Sequence, residues 1–512
     1  MIIAVEIRIS CVRSNRERAV TINEAGAVSR KAEETLDPDD WDRMEATAQK
    51  ALAYSLAHIR DVRSRPLWRQ MPPEVRTRFT GGVPHAPTSL DNILEELKED
   101  LLPYSMGNLH PRFWMWFMGS GSFTGALADF MAAIDGSNLG GGDTAAALVD
   151  RQVVGWLKQM VGFPEAASGT IVSGGSMANV IGLTIARNQM AGVDVRSEGV
   201  AAIPSQLRFY ASDQVHSCHQ KALEALGLGN QALVRVATGP DGNIDLSALE
   251  KAIAGDRASG KKPACVIATA GTVNTGAIDD LNAIGALCKR EGLWFHVDGC
   301  IGALIAIAPE NRGLVAGLET ADSLALDPHK WLHVPFTAGC ALVRDAQAHR
   351  KAFTLSPEYL EEKPRGIAGA PFLHDLNMGT SAGFAALKIW MALKENGVEK
   401  FGRLIDQNIS QAKELSARIE NEPRLRLMAP TVINIVNFRY DPGGMDEASL
   451  KALNTEIMLR LQEEGIAALS DTTVRGRHSL RVAICNHRTR SDDLELLVRE
   501  ILHVAEAIEA AA

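Results

Sequence analysis

The sequence predicts an α/β fold, a mostly parallel sheet covered by helices, with a helical N-terminal segment before it and a small α+β C-terminal domain after it. Three observations predict this. From about Gly107 to Gly397 short apolar runs alternate with longer helical patterns, as they do where parallel strands are joined by helical crossovers. Ahead of that stretch apolar residues recur at helical spacing between Pro- and Gly-rich connections. Beyond Gly397 the order becomes helix, strand, helix, strand, helix. The 512 residues therefore divide into an appendage (1–36), a helical segment (37–106), a large α/β domain (107–397) and a small α+β domain (398–512).

Taken in order, residues 1–36 are polar and weakly periodic. Pro38 marks the edge of a helix, Asp39 or Asp40 supplies an N-cap, and Trp41, Met44, Ala48, Leu52 and Ile59 share one helical face. A second short helix is expected from Leu90 to Leu101, and PLWRQMPPEV and TGGVPHAPTS read as connecting loops rather than core. Strands are expected at GTIVS, RFYAS, ACVIATA, LWFHVD, DSLALD and CALVR. A helix from Phe384 to Lys394 stops at Gly397, since glycine suits a helix end. Strands VINIVNF and LRVAIC and a last helix from Leu494 to Ile508 then build the small domain.

Composition excludes several classes. With 53 basic and 62 acidic residues the net charge is −9 and no basic stripe is present, so no nucleic-acid partner is expected. No apolar run approaches the ~20 residues that span a bilayer, so no membrane partner is expected either. The opening MIIAVEIRISCVR, broken by Glu6 and Arg8, does not read as a secretory leader. The seven cysteines are scattered without a CxxC pair, which indicates neither a disulfide framework nor a zinc site. No metal is expected, and the location expected is cytoplasmic.

In sheets of this class ligands gather beyond the carboxyl ends of the strands, and four groups stand there. Lys330, in LALDPHKWLHVP, follows a strand; burial there would lower its amine pKa and make it a competent imine-forming nucleophile. Asp298 closes LWFHVD, where a buried carboxylate needs something positive facing it. SGGSMAN, from Ser173 to Asn179, follows a strand and opens a helix, so its backbone N–H groups form a phosphate cradle without the spacing of a nucleotide loop. His216, after RFYAS, offers a planar ring for stacking.

Singly, each has an ordinary reading: a lysine snorkelling from a strand end, an aspartate in a salt bridge or N-cap, a small-residue turn packing strand on helix, a hydrogen-bonded histidine. Jointly they are the set that pyridoxal 5'-phosphate needs, namely a lysine for the imine, a carboxylate for the pyridinium nitrogen, a phosphate cradle and a ring stacker.

Several motifs lie in the order found in one family. HPRFW at His110, SGGSMAN, SDQVHS, the GT of ATAGTVNTGAIDD, HVDG, DPHKW, SPEYL and LRVAICNHRT resemble the corresponding segments of the group II pyridoxal-phosphate decarboxylases, over roughly residues 38–508. The family includes aromatic-L-amino-acid, glutamate and cysteine-sulfinate decarboxylases. The resemblance implies a fold-type I, aspartate-aminotransferase-like lyase that acts as a homodimer with shared active sites. It implies Lys330 as the residue that carries the cofactor, His329 beside the phosphate, Asp298 on the pyridine nitrogen and His216 on the ring face. Gly175 and Ser176 would meet the phosphate, with Thr272 and Asp327 as secondary contacts and Cys300 beneath the ring.

Tyr359, in SPEYL, corresponds to a loop tyrosine that returns a proton to the substrate carbon; relatives that make aldehydes often carry phenylalanine there. Trp116 and Phe117 fall where aromatic-acid decarboxylases line the side-chain pocket, with His110 as a further substrate contact. An aromatic substrate giving an amine is therefore expected; the alternatives are an acidic amino acid (glutamate, aspartate or cysteine sulfinate) and an oxidative route to an aldehyde. DGCIGA, the single threonine after ATAG, SAGFAALK and Met118-Gly119 depart from the family pattern.

Overall fold

The computed structural model describes residues 34–355 and 363–511. Contacts divide the chain after Ala51. In the first unit Asp40 Oδ1 accepts the Arg43 amide at 2.9 Å, which caps helix α1 (Trp41–Arg60) as its sequence requires. The second unit, from Leu52 onward, holds both sheets.

Helices α2 (Pro73–Arg78) and α3 (Leu90–Glu96) come next. The first of these corrects the expectation of plain loop, because Pro73 sits in the first helical turn, where its missing N–H costs nothing. Nor is the segment all surface. Leu67 and Val75 are buried, and Leu67 packs with Phe113 and Ala468. Helices α4 (Phe123–Asp135) and α5 (Ala145–Met160) then lead into the first sheet.

That sheet has seven strands: β1 (Ser168–Val172), β2 (Leu207–Ser212), β3 (Leu233–Val236), β4 (Lys262–Thr269), β5 (Trp294–Asp298), β6 (Ser323–Leu326) and β7 (Gly339–Val343). Their order is β1-β7-β6-β5-β4-β2-β3, and β7 runs against the rest. Strand β3, not expected from the sequence, is four residues long and lies at the sheet edge. Between the strands run α6 (Gly175–Met190), α7 (Val195–Glu198), α8 (Ser217–Ala225), α9 (Leu246–Ala258), α10 (Leu281–Glu291) and α11 (Pro328–Trp331), with α12 (Ala346–Phe353) after β7.

Alternation along the strands sends successive side chains to two different cores. On β5, Phe295 and Val297 join a core with Leu157 of α5, Leu249 of α9 and Ile284 of α10. Trp294 joins the other, with Ile181 of α6, Leu223 of α8 and Ala348 of α12. By the same period His296 and Asp298 point to the face covered by α6 and α8, where they meet the buried polar side chains of Asn179 and His219.

The chain continues through α13 (Ala386–Asn396), which ends at Gly397 with φ 72°, and α14 (Val398–Glu420). A four-stranded antiparallel sheet follows, built from β8 (Leu425–Leu427), β9 (Ile435–Tyr440), β10 (Ser470–Val474) and β11 (Arg477–Ala483) in the order β10-β11-β9-β8. Helices α15 (Glu447–Glu463) and α16 (Ser491–Ala511) complete it. Two of these strands were not expected: β8 has three residues, and β10, SDTTV, is polar. Strands β10 and β11 are joined by Arg475 and Gly476 at φ 49° and 77°, the positive pair that a tight hairpin turn demands. Trp114 is fully buried in the core of this layer and donates its Nε1–H to Thr489 Oγ1 at 3.3 Å.

Burial also sets a pH dependence. Desolvation pushes the buried Asp150 of α5 from the ordinary 3.8 up to about 7. The folded protein therefore holds this proton more tightly than the unfolded chain, and its contribution to stability is full below pH 3.8 and lost as pH rises through about 7. Urea midpoints measured across this window should fall with rising pH in the wild type relative to Asp150→Asn.

Candidate active site

The carboxyl ends of β1, β2, β4, β5 and β6 open on one cavity of about 580 Å³. Register explains the convergence: Thr269 at the end of β4 lies beside Asp298 on β5, which lies beside Ala325 on β6, two residues before Asp327. Gly175, Ser176, His216, Asp298, Cys300, Asp327, His329 and Lys330 all line the cavity. A larger cavity of about 740 Å³ shares Ser173, Met177 and Phe336 with it but not this set of groups.

At one end stands the start of α6. Its N-cap is Gly174, so no side chain caps it. A Cβ added at Gly175 would come within 2.3 Å of Cys300 Sγ and 2.7 Å of Asp327 Oδ2, so only glycine lets the helix start this close to the other strand ends. The positive end of a 16-residue helix thus faces the cavity.

Lys330 projects from the one-turn helix α11, which follows β6 directly. Its Nζ lies 2.9 Å from Asp327 Oδ2 and 5.6 Å from the centre of the Phe117 ring. Burial does act to lower its pKa, as expected, but the charge and hydrogen bond of Asp327 outweigh it and hold the amine above its ordinary value. The amine of the free protein is an ammonium paired with a carboxylate.

The cation facing Asp298 is His219, whose Nε2 lies 2.8 Å from Oδ2. Burial alone would raise the Asp298 pKa, yet the hydrogen bond and charge of His219 hold it well below the usual carboxylate range. In the sequence His219 stands out only as an ordinary neighbour of His216. The signal lies in SDQVHSCHQKA, where three residues, nearly one helical turn, separate the two rings. His216 itself caps α8, its Nδ1 accepting the Cys218 amide at 3.2 Å, and its ring faces the cavity.

Trp116 and Phe117 form the opposite wall. Phe117 is buried and meets Trp331 edge-on, ring centres 5.9 Å apart, whereas Trp116 is 50% exposed with φ 53°, a conformation rare for a bulky residue. Arg481 of β11 holds Trp116 there by donating Nη1–H to its carbonyl. Sequence reasoning misses this arginine. It reaches the cavity from the small sheet, is held by Asn274 O and Ser470 Oγ, and keeps Nη2 without a partner. An arginine inside the apolar strand LRVAIC is the available signal, because a guanidinium on a buried strand must serve something.

Two candidates stand elsewhere. Thr272 turns into its own loop, bonding Thr275 Oγ1 at 3.0 Å and the Ala277 amide at 3.1 Å, while its neighbours Gly271 and Val273 line the cavity. His110 is buried outside the cavity wall, its Nδ1 accepting the Arg112 amide at 3.2 Å, and desolvation pushes it down to about 4. Tyr359 lies outside the described residues.

The ion pair at Lys330 makes a prediction. Asp327→Asn should lower the amine pKa and so enlarge the neutral, nucleophilic fraction near pH 8, speeding acylation by an amine-directed reagent by about an order of magnitude. Peptide mass mapping of labelled Lys330 over time measures this.

Residues 72–441 match the family model described as the pyridoxal-dependent decarboxylase conserved domain. The chain is 32% identical over 476 residues to an aromatic-L-amino-acid decarboxylase of Bacillus atrophaeus, a match covering 91% of this chain and 96% of that one. It is 28% identical to a tryptophan decarboxylase of Camptotheca acuminata, over 88% of this chain and 90% of the relative. The crystal structure of Oryza sativa TDC with PLP and tryptamine superposes with a TM-score of 0.86 at 26% identity, covering 93% of this chain and 100% of that one.

Proposed function

We propose that this chain, which belongs to the pyridoxal-dependent decarboxylase family and is a carboxy-lyase, takes an aromatic L-amino acid and releases the corresponding amine. The observation that carries the aromatic reading is the wall made by Phe117 and Trp116 beside Lys330, since flat apolar faces suit an indole or phenyl ring.

The cavity fits pyridoxal 5'-phosphate. An uncapped helix N-terminus suits its phosphate, an ionised buried carboxylate its ring nitrogen and a lysine its aldehyde carbon. Thr269 Oγ1, Asp327 Oδ1 and Arg481 Nη2 are buried polar atoms of the lining that have no hydrogen-bond partner among the described residues, as expected of a site shaped for a polar guest. When bound, the cofactor supplies the electron sink that lets the bond to the substrate's carboxylate break.

The chain's own residues do the rest. Gly175 and Ser176 would receive the phosphate at the start of α6, Lys330 would give its amine to anchor the cofactor, and His216 would offer its ring to the cofactor's face. Asp298, held ionised by His219, would favour a protonated ring nitrogen. Phe117, packed on Trp331, would keep water from the reacting carbon, and Tyr359 would return a proton to it. Arg481 holds the carboxylate that every amino acid carries.

Arg481 also favours a second reading, in which the substrate is acidic. Two carboxylates would need two cations, however, and the other cation of the lining, Lys330, is committed to Asp327 and the cofactor. The chain acts as a homodimer in the cytoplasm. Leu127, Phe130, Met131 and Ile134 on one stretch of α4 are exposed, which supports a covering partner copy, and the described cysteines are free and buried, which suits a reducing compartment.

Incubating the holoenzyme with the natural amino acids and identifying products by mass spectrometry tests the reading. Tryptamine, tyramine or phenethylamine is expected, and an amine from an acidic amino acid alone would overturn it. Lys330→Ala should lose at least about a thousandfold in kcat and no longer fix a pyridoxyl group on borohydride treatment. Tyr359→Phe should raise the share of aldehyde and ammonia in the product.

A further inference from the structure

We propose that His219 is a positioning residue. It holds Asp298 ionised and fixed in orientation, and through Asp298 it keeps the proton on the ring nitrogen of the cofactor. This rests on the reading above that Asp298 serves that nitrogen.

Several other groups face Asp298, and each is otherwise engaged. His296, two residues back on β5, cannot supply the cation. Trp294 Nε1–H donates to Ser323 Oγ at 2.8 Å, His296 Nδ1 bonds the same hydroxyl at 2.8 Å, and His296 Nε2 bonds Asn179 Oδ1 at 2.8 Å. Burial keeps this ring neutral, pushing it down to about 3. Lys330 is engaged by Asp327. Cys300 gives its amide to Asp298 Oδ1 at 3.2 Å and carries no positive charge, while its thiol and that of Cys218 accept from Asn179 at 3.8 and 3.6 Å. His216 bonds the Cys218 amide. Among the described residues His219 is therefore the basic side chain paired with Asp298.

Its placement argues against a merely space-filling ring. His219 is the third residue of α8, where the positive helix end disfavours a cation, and it is fully buried. Its Nε2 is held by Asp298 Oδ2 at 2.8 Å, and the Cys218 sulfur lies within 4.8 Å of a ring nitrogen. Burial would depress an imidazole, yet the bonds to Asp298 and Cys218 raise this one to about 10. Asp298 is thus anchored at both oxygens, by the imidazole at Oδ2 and by the Cys300 amide at Oδ1.

The test compares equilibrium binding of pyridoxal phosphate with that of its 1-deaza analogue, in which C–H replaces the ring nitrogen. It uses the full-length cofactor-free protein as wild type, His219→Leu and His219→Gln, alongside the 15N resonance of ring-labelled pyridoxal phosphate in each. The wild type should prefer the natural cofactor. In His219→Leu that preference should fall about tenfold and the nitrogen signal should move toward its unprotonated position. His219→Gln, which keeps an N–H donor without the charge, should lie between and carries the test if the leucine variant does not fold. Equal weakening of both cofactors, or an unchanged ratio and nitrogen signal in the variants, would overturn the proposal. A wild type that does not distinguish the two cofactors would overturn the role of Asp298 itself, and this proposal with it.

Discussion

The site depends on the cost of ending a buried parallel strand with a carboxylate. Asp298 and Asp327 terminate neighbouring strands at the level where ligands gather, and neither can stay charged there without a cation close by. One is matched by an imidazole from α8 and the other by the amine of Lys330. Two ion pairs side by side leave a cavity that is polarised before any guest arrives. The positive end of α6 adds a third fixed charge, supplied by the backbone.

Much of this was legible because period-two alternation and strand ends are written locally. GTIVS, RFYAS, LWFHVD and DSLALD are apolar runs closed by turn or polar residues, and reading past the end of each leads to Ser173, His216, Asp298 and Lys330 in turn, whereas the run ACVIATA leads to Thr272 and not to Thr269, which lines the cavity. What was not legible depends on convergence between distant parts. His219 and Asp298 lie 79 residues apart and meet only because α8 folds onto the face that β5 presents. Arg481 belongs to a different sheet altogether. Motif matching places Thr272 and His110 by segment, while their side chains do not line the cavity: one bonds within its own loop and the other is buried.

The strands that escaped the sequence did so for a related reason. Strand β3 carries Arg235 at the sheet edge, β8 has three residues and β10 is polar. Each is short or polar enough to escape a reading by apolar runs, and a neighbour's hydrogen bonds complete it, as β11 does for β10. The proline-rich stretch before the first sheet shows the converse. Its composition suggests a bare connection, but Leu67 and Val75 give it an anchor in the interior.

The cavity's walls run from Trp116, ahead of the first sheet, to Arg481, on the last strand of the second. A ribosome must therefore deliver the guanidinium after every other wall residue has emerged, and the seven-stranded sheet can be complete while the pocket is still open on one side. Cofactor capture during synthesis or refolding would then report the arrival of the small sheet rather than the large one. Arg481 is the last wall residue in the chain, and by donating to the Trp116 carbonyl it ties the end of the sequence to the stretch that precedes the first sheet.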